Sequence, residues 1–238
     1  MNGDFLVGAF RGTKLIQRRG QVGGAKSVFV PLQGMKNHLT YPSLGGEIKN
    51  PFKGAAKLFA GDLVEYRTDS NGVKPEIYVL KTYLVESVSS NKMTVNIVKD
   101  DYKHIPFVGD KIAPAPTTMG GTITGLTVNS VTVTKVGTVD VWALGLSGEI
   151  TASKGTILVE ADSAGTSMMV KDINGVLDCD LDMYDTPATG SSDFDGARYF
   201  YTPALGGVMY INKMSPLPAC VKAKNKININ GWFQVGTL

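Results

Sequence analysis

Between Phe59 and Ala161 apolar residues alternate with polar ones in short runs, and they do not recur at the three-to-four-residue spacing of an amphipathic helix. Val, Ile, Thr and Tyr dominate these runs, and Gly, Asn, Ser or Pro ends each of them, as in β-hairpins. Ile77 to Val88 predicts one long strand or a bent pair. Ser89-Ser90-Asn91 turns the chain, after which Met93, Val95 and Ile97 alternate with Thr94 and Asn96 as a half-buried strand. Leu126-Thr127-Val128 and Val131-Thr132-Val133-Thr134 predict a hairpin closed by a two-residue Asn129-Ser130 turn. Val139, Val141 and Ala143 continue the series, Gly145–Gly148 turns, and Ile157 to Val159 ends it. Strands at intervals of about 8–12 residues with such turns predict a β-barrel or sandwich body over residues 54–161.

The flanks are patterned differently. Residues 1–53 hold nine glycines, with Pro31, Pro42 and Pro51. Gly and Pro cost about 1 and 3 kcal/mol each inside a helix, so no helix is expected there. Phe5, Phe10, Phe29 and Tyr41 are scattered through the stretch as anchors, the composition of an extended irregular arm whose core is supplied by neighbours. After Ala161 the pattern loosens into a second small β region, residues 162–238, docked on the body. There Asp172–Gly175 is a turn, Arg198–Thr202 and Val208–Ile211 are short strands, and Ile227, Ile229, Trp232, Phe233 and Val235 form a terminal strand. The fold class is all-β, with no convincing amphipathic helix.

Charge sharpens the picture of the arm. Residues 1–60 carry nine Lys/Arg against Asp4 and Glu47, a net +7 within a chain of +3, so the remainder carries −4. A basic, Gly-rich leader on a mildly acidic body suits an arm that seeks an acidic surface. Cys179 and Cys220 have neither zinc spacing nor the density of a disulfide scaffold, and two reduced thiols made in a reducing cytosol are expected. No run of about 18 apolar residues exists, so no membrane span is expected, and a membrane is not among the expected partners. Met-Asn-Gly-Asp lacks the basic and apolar regions of a secretory signal.

Candidate chemistry is sparse. Gly20-Gln21-Val22-Gly23-Gly24-Ala25-Lys26-Ser27 misses the phosphate-binding loop by one glycine, and the strand-like Val28-Phe29-Val30-Pro31 that follows offers no helix N-terminus. Asp178, Asp180, Asp182, Asp185, Asp193 and Asp195 form an acidic run without the glycine and glutamate of an EF-hand loop. Its period of two places Asp178, Asp180 and Asp182 on one wet strand face, which leaves open a solvated stripe, a cation site or a seat for a neighbour's basic arm. His38 and His104 have no paired ligand nearby, and Gly145-Leu146-Ser147-Gly148-Glu149 fails the nucleophile-elbow pattern at its last position. No catalytic residue, cofactor or metal ligand is assigned, and an enzyme is not expected. Aromatic and basic residues adjoin only at Phe10-Arg11 and Phe52-Lys53, too thin a row for stacking bases, so nucleic acid is not an expected partner.

Ala60-Gly61-Asp62-Leu63-Val64-Glu65, Val108-Gly109-Asp110-Lys111-Ile112 and Gly145-Leu146-Ser147-Gly148-Glu149-Ile150, behind an irregular basic leader, resemble tailed-phage head decoration, auxiliary capsid and head-fibre proteins, most of all those of crAss-like phages. The resemblance covers roughly residues 55–161. It implies a structural virion protein, made in the host cytoplasm, that binds and stabilises or decorates an assembled shell as a homo-oligomer. Its partners would be the major capsid protein and other virion proteins, and it carries over no catalytic residue. Read together with the arm, it nominates Phe5, Phe10, Arg11, Lys14, Arg18, Arg19, Phe29 and Tyr41 as partner-binding residues. The same β composition fits a tail, baseplate or collar component, or a carbohydrate-binding module using Trp142 and Trp232.

Overall fold

The computed structural model describes residues 6–11, 14–19, 45–50, 56–99, 104, 106–178, 181–183, 197–204, 207–210, 215–222 and 233–236. Among them the chain is all-β, with strands β1 to β17 and one four-residue helix. It forms two compact units, and the chain leaves the first, builds most of the second and then returns. The first unit opens with β1 (Leu6–Arg11), β2 (Lys14–Arg19), β3 (Gly46–Ile48), β4 (Ala56–Leu58), β5 (Leu63–Thr68) and β6 (Pro75–Val79). The second is built from β7 (Thr82–Val88), β8 (Thr94–Val98), β9 (Lys111–Pro114), β10 (Leu126–Val136), β11 (Val139–Leu146) and β12 (Ile157–Glu160). Back in the first unit come β13 (Gly175–Val176), β14 (Leu181–Met183), β15 (Ala197–Tyr201) and β16 (Gly207–Tyr210). Helix α1 (Ala219–Lys222) belongs to the second unit, and β17 (Phe233–Gly236) ends the first.

The first unit holds a seven-stranded sheet in the order β13-β5-β6-β3-β15-β1-β2 and two separate two-stranded pairs, β4–β14 and β16–β17. Strand alternation gives this sheet one apolar face. Ile48, Val64, Ile77 and Val79 are buried, and their neighbours Glu47, Glu65, Glu76 and Tyr78 take the opposite face. Two asparagines extend the ladder with their side chains. Asn50 Nδ2 donates to the Val79 carbonyl at 2.8 Å while its Oδ1 accepts the Val79 N–H at 2.7 Å. Asn174 does the same for Tyr66, at 2.6 Å in both directions.

The second unit is a closed, all-antiparallel barrel in the order β10-β11-β8-β7-β12-β9. Closure leaves its core to side chains alternating inward, among them Tyr83, Val85, Ile97, Ile112, Leu144 and Leu158. The β7–β8 turn falls on Ser89-Ser90-Asn91, as the sequence predicts, and places Lys92 at φ 56°, a left-handed conformation otherwise held by glycines among the described residues.

One phrase of the sequence builds the same turn in both units. At Phe59-Ala60-Gly61-Asp62 the Phe59 N–H donates to Asp62 Oδ2 at 2.9 Å, and the Asp62 N–H donates to the Phe59 carbonyl at 3.0 Å. At Phe107-Val108-Gly109-Asp110 the corresponding distances are 2.9 and 3.1 Å. Gly61 and Gly109 sit at φ 93° and 91°, where a type II turn requires a positive value. Each glycine N–H donates to a carbonyl, of Leu177 (2.7 Å) or Val128 (2.8 Å), and that residue's N–H returns to the Asp carbonyl at 2.9 or 2.8 Å. The turns thus launch β5 and β9 already paired.

Three sequence expectations change. Asn129-Ser130 is not a turn: β10 runs through it, absorbing the irregularity as a bulge between Val128 and Ser130. The two-residue turn lies at Gly137-Thr138, because Gly137 at φ 60° supplies the left-handed residue that Asn-Ser lacks. The barrel is narrower than residues 54–161, since β4, β5 and β6 belong to the other unit. Residues 1–53, read as an irregular arm, include β1, β2 and β3 of the seven-stranded sheet.

Candidate functional site

The residues nominated as anchors gather, where described, in one hairpin. Phe10 and Arg11 lie on β1, and Lys14, Arg18 and Arg19 on β2, with Arg11 opposite Lys14, Phe10 opposite Leu15, and Val7 opposite Arg18. Phe5, Phe29 and Tyr41 lie outside the described residues. β1 is tied to the sheet by β15, through Gly8–Phe200, Ala9–Tyr199, Phe10–Arg198 and Arg11–Ala197. Among the described residues β2 pairs with β1 alone and ends the sheet. The two strands, LVGAFR and KLIQRR, carry four cations and no carboxylate. A terminal strand has one row of N–H and C=O groups outside its ladder, and here that strand is rich in cations by sequence.

Sequence reasoning missed the polar face of the same sheet. Its signal is a repeated triplet in which polar residues flank an apolar one: Glu47-Ile48-Lys49, Glu65-Tyr66-Arg67 and Glu76-Ile77-Tyr78. Register aligns Glu47 with Glu76, Glu76 with Arg67, and Tyr78 with Glu65. Lys49 Nζ lies 3.2 Å from Glu47 and 3.8 Å from Glu76, and Arg67 lies 3.1 Å from Glu65. The Arg67 guanidinium also stands 3.9 Å from the Tyr78 ring centre, while the Tyr78 hydroxyl donates to Glu76 at 3.1 Å. Charges of both signs are thereby paired within the face.

The barrel encloses a second polar group. Lys81, 3% exposed, donates to Glu160 Oε1 at 2.8 Å. His104 Nδ1 accepts the Thr82 N–H at 2.8 Å, so that ring is held as part of the wall. The His104 ring meets Tyr83 edge-on, 6.5 Å between centres. Burial pushes the Tyr83 phenol well above its ordinary value, and the charges of Asp110 and Glu160 push in the same direction. A phenol kept neutral in this way is an apolar-core residue with a polar tip, not an activated base.

The remaining candidates separate. Asp178 accepts a hydrogen bond from the Tyr201 hydroxyl, and its own N–H donates to that oxygen at 3.0 Å, while Asp182 lies on β14 opposite Lys57. Asp180, Asp185, Asp193, Asp195, Cys179, His38 and Trp232 lie outside the described residues. Among the described residues no group of three His, Cys, Asp or Glu is placed to hold a metal ion. Cys220 is a buried free thiol, and burial raises its pKa. Trp142 packs in part against the barrel core with Lys99 Nζ 5.3 Å from its ring centre. Among the described residues no helix is long and apolar enough to cross a membrane. No protein-family model, no curated protein and no solved structure matches the chain.

Proposed function

We propose that this chain is a structural virion protein that binds an assembled tailed-phage shell as an auxiliary, decoration or head-fibre component, with the β1–β2 hairpin as its attachment element. The observation that carries the reading is the basic outer strand. Among the described residues β2 ends the sheet, and the two strands hold Arg11, Lys14, Arg18 and Arg19 with no Asp or Glu in their sequence. An extended acidic segment of a capsid subunit suits such an edge, because main-chain bonds supply affinity and complementary charge supplies orientation and speed. The resemblance of the Gly-Asp turns and Val/Thr strands to head decoration and head-fibre proteins points to the same partner.

Deletion of residues 1–53 would remove β1, β2 and β3 from the sheet and would test folding rather than attachment. Charge reversal is the sharper instrument. Arg18→Glu with Arg19→Glu is expected to lower co-sedimentation with capsid shells at least about tenfold, the effect of a few exposed charge pairs turned repulsive. Added salt should weaken wild-type binding in the same direction. Undiminished shell binding by the folded double variant would defeat the proposal.

A further inference from the structure

The β10–β11 hairpin runs on beyond the point where β9 closes the barrel. β10 pairs with β9 only through Leu126 and Thr127, and Val128 exchanges hydrogen bonds with Gly109 and Asp110. From Ser130 to Val136 its partner is β11 alone among the described residues. The directions of the free groups follow from the ladder. The Lys99 N–H donates to the Asp140 carbonyl and the Leu146 N–H to the Met93 carbonyl, so the even-numbered residues of β11 bond towards β8. Its odd-numbered residues Val139, Val141 and Ala143 therefore bond towards Val136, Thr134 and Thr132 of β10. Val131, Val133 and Lys135 are left with N–H and C=O groups aimed outward.

We infer that this edge pairs with the same edge of a second copy of the chain, antiparallel, about a two-fold axis at Val133. That register sets Val133 against Val133 and Val131 against Lys135, so every outward group on both strands finds a partner. Registers centred on Thr132 or Thr134 leave one of the three residues without an outward-facing mate. The side chains agree. Val133, 54% exposed, stands opposite Trp142, and the two-fold continues this into a row of Trp142, Val133, Val133 and Trp142 across four strands. Thr132 falls opposite Thr134, a favourable cross-strand pair. Charge complementarity is met as well: Lys135 is neutralised by Asp140 of its own chain at 3.7 Å. The two Lys135 residues stand four residues apart along the paired strands, about 14 Å, beyond the screening distance at physiological salt. Natural edges are usually protected by Pro, inward charge or covering loops, and this run of Val-Thr-Val-Thr-Lys-Val has one paired lysine.

The pairing does not depend on the basic hairpin or on any shell, and it is tested on the full-length chain alone. Sedimentation equilibrium is expected to show a concentration-dependent monomer–dimer equilibrium across the micromolar to millimolar range, the range for a contact of one strand each. Val133→Lys sets two lysines against each other at the axis and should weaken the dimer at least about tenfold. Val133→Cys should give a disulfide-linked dimer under a mild thiol oxidant, whereas Val131→Cys, separated from its own copy by about 14 Å, should not. A wild-type chain that stays monomeric at millimolar concentration overturns the inference. So does an undiminished dimer of folded Val133→Lys, or equal crosslinking of the two cysteine variants. A monomer whose binding to shells is lost with Val133→Lys would assign the edge to the shell instead.

Discussion

Tyr83 is a residue whose environment and chemistry disagree. Its hydroxyl is buried in the barrel with no hydrogen-bond partner among the described residues, a situation that costs about 1–3 kcal/mol. Tyr83→Phe keeps the ring and removes the orphaned group, so it should raise unfolding free energy by about 1 kcal/mol in denaturant titration. The same substitution carries a pH signature. Burial raises the folded phenol above 10.0, while the unfolded phenol ionises near its ordinary value. The folded state then holds a proton that the unfolded state releases, so the stabilisation is complete below about pH 10 and is lost as pH rises towards the folded pKa. The wild type should lose stability faster than Tyr83→Phe in that alkaline window, and parallel slopes would contradict the burial. Little of this was legible in the sequence. Tyr83 reads as one apolar member of an alternating run, and His104 as an isolated histidine; that they meet edge-on joins residues 21 positions apart, on either side of β8, which no local pattern encodes.

At the scale of elements, the Phe-x-Gly-Asp turn shows a sequence phrase acting through geometry. Gly61→Ala or Gly109→Ala forces an L side chain to a φ near 90°, and each should destabilise the protein by about 1–2 kcal/mol in thermal or denaturant unfolding. A neutral result at either site would mean that the turn relaxes without cost. This repeat was visible as sequence, as were β8 from its alternation and the β7–β8 turn from Ser89-Ser90-Asn91. The turn after β10 was misread because Asn-Ser resembles a hairpin turn in composition. Only the conformation separates the two sites: Gly137 provides the left-handed residue, and Asn129-Ser130 provides a bulge. The hairpin β1–β2 was obscured for a related reason. Glycines on both sides of its strands suppress local β signal, and β1 is held by β15, almost two hundred residues away, through a ladder that only the folded chain supplies.

For the whole molecule, the path of the chain matters more than any single strand. It enters the barrel unit after Val79 and leaves it after Asp172, and the junction Val79-Leu80-Lys81-Thr82 reads as one uninterrupted β run, so the boundary left no mark in composition. The triplets Glu-Ile-Lys, Glu-Tyr-Arg and Glu-Ile-Tyr were equally available in the sequence, but only strand register turns them into one self-neutralised face. Against that face the hairpin stands out by sequence, with four cations and no carboxylate in two strands at the end of the sheet among the described residues, and this contrast, together with the resemblance to phage head proteins, makes it the proposed point of attachment. Hydrogen–deuterium exchange on the full-length chain, with and without assembled capsid shells, tests that claim most directly. The account predicts slowed exchange confined chiefly to Leu6–Arg11 and Lys14–Arg19 when shells are present, from new ladder bonds to β2. Shell binding with exchange in those two strands unchanged, and protection elsewhere, would contradict it.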